Sequence, residues 1–226
     1  MMVRQRAIQA EHKQERHDAI LDAAERLLLR SPDRVANVAE VAAAAGLAKG
    51  TVYLYFPGKE ELLLALHERN VAAFFTALIE RAEGASVPGI EELLALMHRH
   101  MLERPLFLLL ASRCYGLMAQ CIPIGAATAY RQRMAERLAR AGAGLERHFP
   151  QLAPGDGVLL LRDSYALILG LWQLSVASAD GHDMCPASDA ASPLAFSFPE
   201  HLDRALRALW RGMLETSGER AGGGSR

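Results

Sequence analysis

Gly46 narrows what this chain can fold into more than any other residue, because it separates two short segments of helical period. Val38–Ala45 and Lys49–Phe56 each place apolar residues at helical spacing, with Gly46-Leu47-Ala48 between them. Asn37 precedes the first segment as an N-cap, and Glu40 stands at the third helical position to complete a capping box. Gly46 is placed to end that helix in the left-handed conformation, and Pro57-Gly58 stops the second. Two short helices around a three-residue turn make a helix-turn-helix. Its small shared core is expected to come from Val38, Val41, Ala42, Ala45, Leu47, Val52 and Phe56.

The remainder is also helical in pattern. Val, Ile and Thr do not alternate over runs long enough for strands. A first helix is expected from about His12 to Arg30, ended by Ser31-Pro32, and a long one from Lys59 to about Glu83. Further helices are expected over Ile90–Glu103, Pro105–Gln120, Ile124–His148, Asp156–Ala179 and Pro199–Thr216, with Pro105 and Pro199 at first helical positions. The fold class is therefore all-α: an N-terminal three-helix, helix-turn-helix domain joined by a long helix to a helical ligand-binding and dimerisation domain. The expected boundaries are 1–60, with a flexible N-terminal arm, 61–219, and a disordered tail over 220–226. The connection from Asp180 to Phe198 is rich in Ala, Ser, Asp and Pro and is expected to be mobile.

Charge then restricts function. At 226 residues, 51% hydrophobic, 23% charged and with a formal net charge of -1, the chain is an ordinary globular protein and not a bulk-positive, histone-like binder. The local distribution differs: between Val41 and Gly58 the only charged side chain is Lys49, and Lys59 follows directly. Between the core positions, Lys49, Thr51, Tyr53 and Tyr55 are free to face outward. Lysine and hydroxyl groups bond phosphate oxygens or base edges, and a tyrosine ring can contact a thymine methyl. Gly50 lets a backbone approach a duplex closely. Spacing alone leaves a second reading open, an ordinary helical corner with Tyr53 and Tyr55 as surface aromatics.

The run Val38-Ala-Glu-Val-Ala-Ala-Ala-Ala-Gly46-Leu-Ala-Lys-Gly-Thr-Val-Tyr53-Leu-Tyr-Phe56-Pro-Gly-Lys59-Glu-Glu-Leu62 resembles the signature of the TetR/AcrR family of regulators. The resemblance implies phosphate contacts from Tyr53 and Lys59, and groove-lining positions at Lys49, Gly50, Thr51 and Tyr55. Asn37, in place of a commoner Thr cap, completes the expected DNA-binding set. Ala48 departs from the family's usual Ser or Thr and leaves the second helix without a side-chain cap, a loss of about 0.5–2 kcal/mol. The resemblance also implies a homodimer on double-stranded DNA, and a dyad of recognition helices would read half-sites about one helical turn apart.

Beyond Leu62 the pattern is less specific. Tyr165, Ile168, Leu169, Trp172 and Val176 form one apolar stripe, and Leu202, Leu206, Leu209, Trp210 and Met213 another. They suit a dimer seam or an intramolecular core. A small hydrophobic or amphipathic ligand is expected to meet Met97, Met101, Arg113, Tyr115, Leu117, Met118, Tyr130, Tyr165 and Trp172. Arg113 either anchors an anion or pairs internally, with Asp163 as a possible partner. Cys114 and Cys121 are seven apart, about 10 Å along a helix, too far for a disulfide. His98 and His100 point to different faces, and His182 with Cys185 makes too few ligands for a metal. Gly142-Ala-Gly144 lacks the strand and third glycine of a dinucleotide site. No enzyme motif, cofactor or metal site is expected. Pro105–Tyr130 reads as two buried helices broken near Pro123 and not as a membrane span. A cytoplasmic protein without a membrane partner is expected. A helical small-molecule carrier or protein-interaction module without DNA recognition is the alternative.

Overall fold

A computed structural model describes residues 2–84, 86–180 and 196–222, with side chains described for 11–84, 86–114, 116–117, 121–176 and 196–215. Among the described residues every regular element is a helix: α1 (Met2–Arg30), α2 (Val38–Ala45), α3 (Lys49–Tyr55), α4 (Lys59–Glu83), α5 (Ile90–Met97), α6 (Phe107–Gln120), α7 (Ile124–His148), α8 (Asp156–Asp180) and α9 (Phe198–Gly222). The all-α class is as the sequence predicts, and α6 and α7 are separate helices on either side of Pro123. His182 and Cys185 lie outside the described residues, as do most of the connection expected to be mobile, over residues 181–195, and the last four residues of the tail.

Several ends differ from expectation. The expected flexible arm is helical from Met2; its Gln, Arg, Ala and Glu residues are good helix formers with no Pro or Gly to stop them. The helix after Ile90 becomes a π-turn over His98–Leu102, closed by Glu103 N–H donating to the His98 carbonyl at 2.9 Å. That closure leaves Pro105 in a turn, so α6 starts at Phe107 and Pro105 is not its first residue. α9 runs to Gly222, past the expected Thr216.

The described chain divides into two compact units, residues 1–71 with 104–129, and residues 72–103 with 130–226. In the first, Ile20, Leu21, Ala23, Ala24 and Leu28 of α1 are buried along with Val38, Val41 and Ala42 of α2, and Val52 and Phe56. Ion pairs on the rim fix α4 to α1, with Arg69 reaching Asp22 at 2.6 Å and Glu25 at 2.5 Å. α6 completes this unit. The Arg113 guanidinium donates to the Pro32 carbonyl at 2.5 Å, and the Cys114 thiol to the Leu63 carbonyl at 3.6 Å. Asp163, the internal partner considered for Arg113, is instead held by Arg162 at 3.1 Å. Burial pushes the Cys114 thiol up to about 12, so it is unreactive at neutral pH, whereas Cys121 is exposed.

His67 of α4 is buried beside the Phe107 ring, 5.9 Å between centroids. Burial lowers its pKa from 6.5 to about 4, with Glu68 acting weakly the other way. The unfolded chain therefore takes a proton that the folded imidazole refuses. The stability this supplies is complete above about pH 6.5 and is lost as pH falls toward 4. Urea unfolding at pH 7 and pH 5 should show the loss, and His67→Gln should shrink it; an equal loss in the variant would remove His67 as the cause.

In the second unit α8 and α9 pack through Leu160, Leu161 and Ile168 on one side and Leu202, Leu206 and Trp210 on the other, all buried. The stripes expected as a seam are thus partly internal core. Gly142 of α7 and Gly157 of α8 meet without side chains, since a Cβ on Gly157 would lie 2.3 Å from the Gly142 carbonyl oxygen. The paired glycines read in the sequence are a packing device: Gly144 likewise faces Ala82. Glu146 then caps the start of α8, accepting from Gly155 and Gly157 N–H at 2.9 and 3.0 Å.

Candidate nucleic-acid interface

The interface is built by making α2 rigid and leaving α3 open. Asn37 Oδ1 accepts from Ala39 and Glu40 N–H at 2.9 and 3.0 Å, and the Glu40 carboxylate accepts from Asn37 N–H at 2.8 Å. Arg34 grips the same carboxylate at 2.8 and 3.1 Å and holds it below the usual carboxylate range. The capping box read from Asn37 and Glu40 is therefore present and braced. Gly46 has φ 67°, the left-handed end that a residue with a Cβ adopts at a cost.

No side chain caps α3 at Ala48. Thr51 and Val52 N–H both donate to the Ala48 carbonyl, at 2.9 and 3.3 Å, so the earlier N–H groups of the helix depend on water or a bound group. Val52 and Phe56 face inward and are buried, and the His17 ring covers Phe56 at 5.1 Å. The outward face carries Lys49, Gly50, Tyr53, which is 44% exposed, and Leu54, which is 85% exposed. Thr51 and Tyr55 sit half-buried on its flanks. Lys49 Nζ lies 5.7 Å above the Tyr53 ring, a cation–π contact that positions both side chains. Lys59 opens α4 with its Nζ 3.9 Å from Glu60.

Leu54 is the residue that sequence reasoning omitted from this face. The signal is available in the sequence, since residues 50, 53 and 54 share one side of a helix.

Gly50 has open space where a Cβ would project. Gly50→Ala should therefore leave the fold intact, with a gain of up to about 1 kcal/mol in helix propensity, while weakening duplex binding by steric interference. Thermal melting and fluorescence anisotropy on one preparation check both signs; unchanged duplex affinity would mean that no backbone approaches there.

The residues expected to meet a small ligand divide between the units. Arg113 and Leu117 line an open groove in the first. Met97, Met101 and Tyr130 are buried in the second, with Tyr165 and Trp172 half-buried there. Tyr115 and Met118 lie on α6, their side chains outside those described. Among the described residues no three His, Cys, Asp or Glu side chains converge as metal ligands.

Residues 20–66 match the family model described as "Bacterial regulatory proteins, tetR family", and residues 68–217 match "Tetracyclin repressor-like, C-terminal domain". The chain is 44% identical over 70 residues to the HTH-type transcriptional repressor LfrR of Mycolicibacterium smegmatis, covering 31% of this chain and 35% of that one. It is 35% identical over 71 residues to the fatty acid metabolism regulator protein of Bacillus subtilis, covering 31% and 34%. These matches span about a third of each relative's length. The fold is similar to SmeT, the repressor of the Stenotrophomonas maltophilia multidrug efflux pump SmeDEF, with TM-score 0.52, 22% identity and coverage of 87% and 89%. A TetR-family transcriptional regulator from Streptomyces coelicolor gives TM-score 0.52 at 22% identity, covering 88% and 99%.

Proposed function

Because the chain belongs to the tetR family of bacterial regulatory proteins, we propose that it is a non-enzymatic transcriptional regulator whose α3 enters the major groove of operator DNA. The carrying observation is the division of α3 into a buried back, Val52 with Phe56, and an outward face of Lys49, Gly50, Tyr53 and Leu54. Thr51 and Tyr55 reach base edges or sugar from the flanks, and Tyr53 and Lys59 hold phosphates. Asn37 keeps its amide N–H groups for the backbone while its oxygen caps α2. Residues 1–60 form the DNA-binding part, and residues 61–219 the sensing and dimerising part.

The protein acts as a homodimer in the cytoplasm, as a repressor released by a small hydrophobic or amphipathic ligand. α8 supports the dimer. Its stretch Asp156–Val176 is apolar enough by composition to cross a membrane, yet is only 28% buried within one chain. Leu159, Leu174 and Val176 are exposed on it, a surface that a second copy would cover in a four-helix arrangement with α9. Met97, Met101, Tyr130, Tyr165 and Trp172 supply ligand contacts in the larger part. Ligand and DNA need be coupled by only about 1–3 kcal/mol, transmitted along α4. The relatives named as repressors favour repression over activation.

Selection from a random duplex pool tests the reading directly. Enrichment of a palindrome with half-sites about one turn apart, and affinity that falls steeply with salt, are expected. Recovery of no preferred sequence would leave a helical binding module without DNA recognition.

A further inference from the structure

The first unit holds an open groove of about 400 Å³ between the start of α4, the middle of α6 and the chain that links α1 to α2. Its apolar surface comes from Val35, Leu63 and Leu117. Two cations line it, Lys59 and Arg113, against one carboxylate, Glu60. Arg113 is incompletely satisfied. One amino group donates to the Pro32 carbonyl, while the other, Nη1, is out of solvent contact and makes no hydrogen bond. A buried charged donor without an acceptor is costly, so a small turn of the guanidinium that brings Nη1 to an anion in the groove would recover that cost. The Lys59 ammonium has one long ion pair among the described residues, to Glu60 at 3.9 Å.

We propose that this groove binds a small amphipathic monocarboxylate, its carboxylate between Arg113 and Lys59 and its apolar body on Val35, Leu63 and Leu117. The volume lies within the usual range for small-molecule sites, about 300–1,000 Å³. Two cations and one acid leave a net charge of +1, which a monoanion neutralises; a dianion would meet Glu60 with charge to spare. The site is distinct from the sensing residues of the larger unit, and it adds a direct route of control. A ligand that engages Lys59 withdraws that ammonium from a DNA phosphate, so occupancy and duplex binding compete without any long-range movement. The competition rests on the DNA reading above, whereas the groove does not.

Cys121 lines the same groove and is exposed, so it reports occupancy. The full-length protein is treated with iodoacetamide, with and without millimolar decanoate, and modification of Cys121 is followed by peptide mass spectrometry. Decanoate should slow alkylation at Cys121 at least fivefold, and decyltrimethylammonium should not. Arg113→Gln should abolish the protection. Lys59→Gln, on the exposed rim, should reduce it several-fold and keeps the test decisive if the arginine variant fails to fold. Decanoate should also lower duplex affinity about tenfold in the wild type and not in Arg113→Gln. Unchanged alkylation, equal protection by the cationic amphiphile, or full protection in both variants would each overturn the groove assignment. Absence of duplex binding in ligand-free protein would count against the DNA reading alone, since the alkylation arm uses no duplex.

Discussion

Replacing Trp210 by alanine should destabilise the protein by about 3–5 kcal/mol, the range for losing a large aromatic side chain from a core. Trp210 is completely buried, and its indole N–H donates to Ser164 Oγ at 3.0 Å. Ser164 passes that polarity on, its hydroxyl donating to the Leu160 carbonyl at 2.7 Å. One residue therefore supplies both the bulk that joins α9 to α8 and the donor that satisfies a buried hydroxyl. Trp210→Phe keeps most of the bulk and loses the bond, so it should cost much less, about 1–2 kcal/mol. Urea unfolding followed by circular dichroism separates the two. A loss below about 1 kcal/mol in the alanine variant would mean that the neighbours collapse into the space. Folded domains are typically stable by only about 5–15 kcal/mol, so the alanine variant should lose a large part of its stability margin and melt at a markedly lower temperature.

The second large effect concerns the duplex. Lys59→Ala and Tyr53→Ala should each lower affinity about tenfold, the scale of one lost charge-assisted contact. Neither should change stability much, since Tyr53 is 44% exposed and Lys59 lies on the surface. The two differ in their salt response. Removing a phosphate-binding ammonium should reduce the slope of log affinity against log salt by about 0.9, while Tyr53→Ala should leave the slope almost unchanged. Tyr53→Phe discriminates further, because it keeps a ring under Lys49 and removes only the hydroxyl. Anisotropy titrations at several salt concentrations read all three; a wild-type slope in Lys59→Ala would place its ammonium off the phosphates.

Legibility in the sequence followed the range of the interactions. The turn at Gly46, the capping box at Asn37 and Glu40, and the missing cap at Ala48 are each decided within a few residues, so spacing was sufficient. The π-turn at His98–Leu102 was not legible, because an extra residue in a helical turn leaves no mark in apolar periodicity. The partner of Arg113 was missed for a different reason: it is a backbone carbonyl 81 residues away, and a carbonyl has no side-chain identity to search for. Trp172 and Trp210 read as equivalent members of two stripes, yet only Trp210 is fully buried. Which turn of an apolar helix faces inward is decided by tertiary contacts.

The first unit is assembled from two pieces of chain separated by residues 72–103. Translation delivers α3 long before it delivers Phe107, Arg113 and Cys114, the α6 residues that cover His67, hold Pro32 and meet Leu63. At about 5–20 residues per second, several seconds pass in which Leu63 and His67 have no α6 beside them. A nascent chain stalled at residue 66 would hold every outward-facing side chain of α3 without the scaffold that finishes the unit. A minimal gene fragment for this head should therefore extend to residue 129, or graft α6 onto a shorter one.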